Sequence, residues 1–129
     1  PYWAHFVKWE EGVAGAKGGG GVFYRVLGSE KDEKKNKVLP VVVMARPGLP
    51  HEYLEPFEEL ADLNRRIISF DPLGTGASPL PSSSSPTSSA YWSELLLLLS
   101  HLRITTPIHL VAHGSAAPIA ITHLAPPPS

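Results

Sequence analysis

The chain has no cysteine, almost no net charge and no long apolar run, and each absence excludes a class of protein. Without cysteine there is no disulfide scaffold, thiolate catalysis or cysteine-ligated zinc site. Eleven basic and twelve acidic side chains leave a net charge of -1, too little to attract nucleic acid or an anionic membrane surface. Apolar runs such as Leu95–Leu99 are far shorter than the roughly 20 residues of a membrane span. No signal peptide is recognised either, so the compartment is left open.

The length of 129 residues fits one small domain or part of a larger one. The sequence begins with Pro1 and closes with the proline-rich stretch 125–129, which predicts either a piece of a longer chain or a truncated gene product. Residues 1–129 are therefore expected to form an incomplete domain. Its N-terminal strands and turns lie in residues 1–37, and its strand–helix units in residues 38–125. A serine- and proline-rich loop is expected over residues 77–90.

Residues 1–37 combine glycine-rich and charged segments with a segment that favours a strand. Gly18–Gly21 and the charged run Ser29–Lys37 both predict solvated turns. Between them, Val22–Leu27 is rich in aromatic and β-branched residues and is bounded by glycine, which predicts an antiparallel strand at the start of the sheet.

The second region alternates short apolar runs with helical periodicity. The runs Val38–Met44, Arg66–Phe70 and Ile108–Ala112 lack polar alternation, as strands covered on both faces of a parallel sheet do. One helix is predicted over residues 53–63, where Pro56 suits the first turn. The apolar periodicity from Tyr91 to Leu102 predicts another.

A serine caps the second of these helices in this interpretation, either Ser88 or Ser89. The element order strand, helix, strand, helix, strand predicts an α/β fold with a doubly wound, mostly parallel sheet. Ligands are then expected beyond the carboxyl ends of its strands.

Three segments at those strand ends together resemble motifs of the α/β-hydrolase superfamily, most closely its proline iminopeptidase-like members. Met44–Pro56 is similar to the H-G-G-P-G oxyanion loop, and Asp71–Ser78 to a D-x-x-G-x-G-x-S turn. Leu110–Ala117 stands where the family has the G-x-S-x-G nucleophile elbow. The resemblance implies a partial α/β-hydrolase sheet that ends shortly after the elbow strand. It also implies serine-dependent hydrolysis of ester or amide bonds, aminopeptidase-like in the most similar members.

The elbow departs from the family pattern, and two alignments remain open. A nucleophile on this sharp turn needs small residues two before and two after it. With Gly114 at the nucleophile position the flanks are Ala112 and Ala116, both small, but no attacking oxygen is present. With Ser115 there, an oxygen is present but His113 crowds the turn. The need for small flanking residues favours Gly114 at the nucleophile position.

The resemblance also assigns the remaining parts of the site. The oxyanion amides would be those of Arg46 and Ser115, and Met44, Arg46 and His113 would line the ligand cleft. No Asp or Glu follows Gly114, and His123 is expected to be an ordinary residue of the next helix. Asp71 is expected to be structural. No metal site is expected, because His109 and His113 would lie about 13 Å apart along a strand. No cofactor is expected either, because Pro79 stands where a dinucleotide-binding loop would have its third glycine.

These residues leave three interpretations of function open. The chain is the N-terminal portion of an α/β-hydrolase homologue, inactive as given, or a decayed or mispredicted gene product with no stable independent function, or a non-catalytic protein that reuses the cleft to bind ligands or partners. Arg46 would then hold a carboxylate of a small molecule or short peptide. Ending soon after the strand at 108–112 would leave a sheet edge unpaired, which predicts self-association.

Overall fold

The computed structural model describes residues 9–14, 22–49, 56–58, 64–72 and 87–124. These residues contain five strands and three α-helices. The strands are β1 (Trp9–Ala14), β2 (Val22–Leu27), β3 (Val41–Met44), β4 (Ile67–Phe70) and β5 (His109–Ala112). The helices are α1 (Glu30–Asn36), α2 (Ser88–His101) and α3 (Ala116–Leu124). None of the helices in the described ranges is long and apolar enough to cross a bilayer.

The strands form one mixed sheet in the order β1-β2-β4-β3-β5. Strand β2 runs antiparallel to both β1 and β4, whereas β3 is parallel to both β4 and β5. This arrangement confirms the predicted α/β class, with antiparallel strands at the N-terminus and a parallel part after them. The three parallel strands are each shorter than the apolar run that predicted them, because the first residues of each run lead into the strand.

The core lies on both faces of the central strands. Every residue of β3 and β4 is buried, and Val42 and Ile68 are fully so. Helices α2 and α3 cover one face, where Leu95 and Leu98 pack against these strands. Fully burying an aliphatic side chain of this size stabilises the fold by about 1.5–3 kcal/mol. The uninterrupted apolar runs therefore reflect two-sided burial, as predicted.

Strand β5 differs from this prediction. Its residues are exposed or only half-buried, because β5 ends the sheet and pairs on one side alone within the described residues. The self-association expected of this edge stays a prediction.

Helix α1 also corrects the sequence interpretation, which expected a solvated turn at Ser29–Lys37. Ser29 caps the helix by accepting a hydrogen bond from the Asp32 amide. The Glu33 carboxylate, only 4% exposed, accepts hydrogen bonds from the Arg66 amide at 2.9 Å and from Arg66 Nε at 3.0 Å. A polar seven-residue segment is thus joined to the sheet by a contact with a residue 33 positions away.

The start of α2 was predicted one or two residues too late. Thr87, rather than Ser88 or Ser89, is the N-cap, and its Oγ1 accepts a hydrogen bond from the Ala90 amide at 3.1 Å. Residues 88–90 therefore belong to the helix and not to the predicted loop. The rest of that loop and the glycine run 18–21 lie outside the described residues. So does the predicted helix 53–63, except for a single 3₁₀ turn at Pro56–Glu58.

Candidate functional site at the carboxyl ends of β3 and β5

The register of the sheet brings the first and third motifs together. Met44 at the end of β3 lies beside Ala112 at the end of β5, and the His113 amide donates a hydrogen bond to the Met44 carbonyl at 3.1 Å. The residues that follow the two parallel strands therefore leave the sheet side by side. This is the edge where ligands bind in open α/β sheets.

The segment 113–115, named the elbow turn here, bends tightly from β5 into α3. The Ala116 amide donates to the His113 carbonyl and the Ala117 amide to the Gly114 carbonyl, both at 3.1 Å. Gly114 has φ +60°, a left-handed conformation that costs other residues about 1 kcal/mol or more. The turn therefore favours glycine at this position on backbone grounds alone.

The side chain of Arg46 lies directly over Gly114. A Cβ atom added at Gly114 would stand 3.2 Å from Arg46 Cδ and 3.3 Å from Arg46 Cγ. The stem of the arginine thus occupies the space that a side chain at residue 114 would enter. On either side of the turn, Ala112 is half-buried and Ala116 is fully buried, whereas residues 113–115 are exposed.

A cleft of about 390 Å³ opens beside the elbow turn. Ser115 lies at the turn and contributes to this cleft, together with Pro47 from the loop after β3. The other walls come from the helices: Ser88 and Tyr91 of α2, and Pro118, Ile119 and Thr122 of α3. Sequence reasoning did not identify these helical residues. The three residues from α3 lie three, four and seven positions after Ser115, which is the spacing of residues on one helical face.

The cleft residues predicted from the resemblance do not all have accessible side chains. Arg46 and His113 are exposed near the turn, as a ligand contact requires. Met44, however, is only 2% exposed, because its side chain belongs to the core beneath α2 and α3. Its part in the turn is the carbonyl group that accepts from His113.

Two further residues have structural surroundings. Asp71, directly after β4, is 1% exposed, and its amide donates to the Phe23 carbonyl at 3.0 Å. His123 stacks on Trp92 with ring centroids 5.4 Å apart, and its Nδ1 lies 2.8 Å from the Ile119 carbonyl of its own helix. These contacts give His123 a structural role in the packing of α3 against α2.

The described residues contain no group of three histidine, aspartate or glutamate side chains arranged to hold a metal ion. The site's chemical groups are therefore backbone amides, the Ser115 hydroxyl, the His113 imidazole and the Arg46 guanidinium. Amides at the start of a helix can stabilise negative charge on a bound group. An attacking side-chain oxygen is absent from Gly114 itself.

Comparisons with known proteins agree with this architecture. No family model matches the chain. A proline iminopeptidase of Lactiplantibacillus plantarum is 33% identical over 103 residues, which are 78% of this chain and 34% of that protein. The chain thus spans about a third of the length of the curated relatives it matches.

Two solved structures extend the likeness to three dimensions. The crystal structure of VinJ superposes with a TM-score of 0.76 at 25% identity, covering 88% of this chain and 38% of that one. A proline iminopeptidase-related protein from Thermus thermophilus superposes with a TM-score of 0.71 at 24% identity, covering 91% of this chain and 40% of that one. The chain is therefore a proline iminopeptidase-like member of the α/β-hydrolases and represents part of that fold.

Proposed function

We propose that the chain is the N-terminal portion of an α/β-hydrolase homologue whose family reaction is serine-dependent hydrolysis of ester or amide bonds. We further propose that Gly114 stands at the nucleophile position, so that the chain as given does not catalyse this reaction. The conformation of the elbow turn carries the proposal. Gly114 has the positive φ at the apex, its flanks Ala112 and Ala116 are small, and the stem of Arg46 fills the space above it.

The oxyanion site of the proposal consists of the Arg46 and Ser115 amides. Its support is the sheet register, because Met44 and Ala112 are paired and Arg46, two residues after Met44, lies over Gly114, two residues after Ala112. Without a nucleophile and base, however, two amides supply little of the rate enhancement. Loss of the nucleophile alone costs a serine hydrolase on the order of 10⁶ in kcat. The fifteen residues after Gly114 include no carboxylate to orient a histidine.

The test is hydrolysis of chromogenic esters and of proline amides by the purified chain, with labelling by a serine-directed phosphonate. We expect no turnover above the buffer rate and no labelled serine. The Ser115→Ala variant is the matched control, because it removes the one hydroxyl at the elbow turn. Stoichiometric labelling of Ser115 that this variant abolishes would refute the proposal and favour the other alignment.

The position of Arg46 favours a second candidate function, binding of a carboxylate-bearing peptide without cleavage. Its guanidinium group is held at the elbow turn by a stem that packs over bare backbone, and planar guanidinium groups bind carboxylates through two parallel hydrogen bonds. Calorimetry with short peptides that carry a free carboxylate tests this function. Arg46→Ala should weaken binding, whereas Arg103→Gln, at the opposite end of the parallel strands, should not. Equal binding by Arg46→Ala would exclude this role.

A further inference from the structure

A second cavity, of about 410 Å³, lies at the amino ends of the parallel strands. Its walls are helix α1, the segment 38–40 before β3, Arg66 before β4 and the segment 103–106 before β5. We name it the basal pocket. It lies at the opposite end of the strands from the elbow turn, so the proposed hydrolase chemistry makes no use of it.

The basal pocket carries more positive than negative charge. Four cationic and two acidic side chains line it: Lys34, Lys37, Arg66, Arg103, Glu30 and Glu33. Two of the cations are paired, since Lys34 contacts Glu30 at 3.1 Å and Arg66 contacts Glu33 at 3.0 Å. The side chains of Lys37 and Arg103 form no ion pair or hydrogen bond within the described parts of the chain. A formal surplus of two positive charges therefore remains.

Arg66 is oriented in a way that leaves hydrogen-bond donors available. Its Nε donates to both carboxylate oxygens of Glu33, at 3.0 and 3.1 Å, and its side chain is only 11% exposed. Among the described residues, no acceptor bonds to the terminal nitrogens Nη1 and Nη2. The pair with Glu33 therefore anchors one edge of the guanidinium group and leaves the other edge for an oxyanion.

The backbone positions of Lys37 and Arg103 are unusual for charged residues. Lys37 follows α1 with φ +55°, and Arg103 follows the end of α2 with φ +56°. At both helix ends, the next residue's amide bonds back to a carbonyl five positions earlier, Val38 to Glu33 and Ile104 to Leu99. This is the Schellman arrangement, in which glycine is the usual left-handed residue. The chain carries a cation at both positions, although glycine would avoid a cost of about 1 kcal/mol.

Compensation of the helix dipoles does not by itself explain the positive side chains at these two helix ends. The carboxyl ends of two helices contribute about half a negative charge each, which is smaller than the surplus of two positive side chains. The positive field also acts on an acidic neighbour. The pKa of Glu30 is lowered from its ordinary value of 4.5, first by the hydrogen bond from Lys34 and then by the charge of Arg66. The positive charges of Lys37 and Arg103 exceed the helix-dipole charge, so an added anion would be attracted to the pocket.

We propose that the basal pocket binds the phosphate group of a small molecule. The outer edge of Arg66 would donate two hydrogen bonds, while Lys37 and Arg103 would balance the charge. A phosphate carries up to two negative charges at neutral pH, which matches the formal surplus. A volume of about 410 Å³ exceeds that of phosphate alone and falls within the range of small-molecule sites, so the pocket has room for the organic part of a phosphorylated molecule.

Titration calorimetry with inorganic phosphate, and with glycerol phosphate as a small phosphorylated molecule, tests the proposal at constant ionic strength set by sodium chloride. The informative variant is Lys37→Gly with Arg103→Gly, because glycine removes both charges and suits the positive φ of both positions. We expect at least tenfold weaker binding of either probe by this double variant. Lys35→Gln is the matched control, since Lys35 lies on α1 but does not line the pocket.

Thermal unfolding of the double variant establishes that the fold persists, and the single variant Arg103→Gly serves if it does not. Unchanged phosphate affinity in the glycine variants would overturn the proposal. Equal affinity for acetate and phosphate would also overturn it, because that result indicates an unspecific charge effect. None of these outcomes depends on residues of the elbow turn, so failure here and failure of the hydrolase proposal are distinguishable.

Discussion

Replacing Gly114 by alanine tests the geometry of the elbow turn directly. The positive φ of this residue should cost alanine about 1 kcal/mol. The added methyl would also stand 3.2 Å from Arg46 Cδ, closer than the usual 3.5–4.0 Å between carbon atoms. Because the arginine stem is flexible, moving it away should add only about 0.5 kcal/mol. We therefore expect Gly114→Ala to lower the free energy of unfolding by about 1.5 kcal/mol.

Two further variants separate the backbone cost from the cost of the contact with Arg46. Gly48→Ala shows a backbone cost without a contact, because its added methyl would meet no atom within 4 Å, and with φ +97° this cost should be at least that at Gly114. In the Arg46→Ala background only the arginine Cβ remains, 3.5 Å from the methyl position at Gly114. The close contacts of the new methyl with Arg46 Cδ and Cγ should then be absent. A double-mutant cycle between residues 46 and 114 is expected to give a coupling energy of about 0.5 kcal/mol.

Urea unfolding followed by tryptophan fluorescence measures each free energy of unfolding. Thermal unfolding provides a second readout, because the midpoint temperature should fall by about 4 °C per kcal/mol for a chain of this size. The reasoning would be refuted if Gly114→Ala were as stable as the parent. It would also be refuted if the coupling to Arg46 were zero, since the arginine stem would then not lie over the turn.

Three further predictions concern the elements that position the site. Thr87→Ala should lower the free energy of unfolding by about 1 kcal/mol in urea titrations, because it removes the α2 cap, whereas Ser89→Ala should change it little. Leu98→Ala should cost about 2–5 kcal/mol in the same assay because Leu98 is fully buried, while Leu97→Ala, 42% exposed, should have a small effect. Glu30 has a lowered pKa in the folded state, so its stabilising contribution is present above its ordinary value of 4.5 and is lost as the pH falls through the folded-state value. The Glu30→Gln variant should accordingly show a shallower loss of stability on acidification, and a pH dependence identical to that of the parent would contradict this assignment.

Much of the sheet was predictable because its signal is local. The buried strands β3 and β4 come from continuous apolar runs, and β2 from an aromatic and β-branched run between glycines. Helix α2 shows its apolar spacing in the sequence. Only its start was misplaced, because Thr87 and the two serines after it are all suitable caps and the choice among them depends on the backbone path.

Helix α1 was not predictable in the same way. Its seven residues are all polar or charged, so no apolar periodicity marks it, and seven residues are too few for a helix to be stable alone. Burial of Glu33 against Arg66 depends on β4 lying nearby, which the sequence of α1 does not state.

The sequence by itself therefore determined the positions of β2, β3, β4 and helix α2, the two-sided burial of β3 and β4, and the small flanks of Gly114, because each depends on residue size or polarity along the chain. Only the tertiary structure placed the stem of Arg46 over Gly114, buried Met44 and set Lys37, Arg66 and Arg103 around one pocket. These juxtapositions join residues far apart in sequence. They arise from strand register and helix termination, which local composition does not encode.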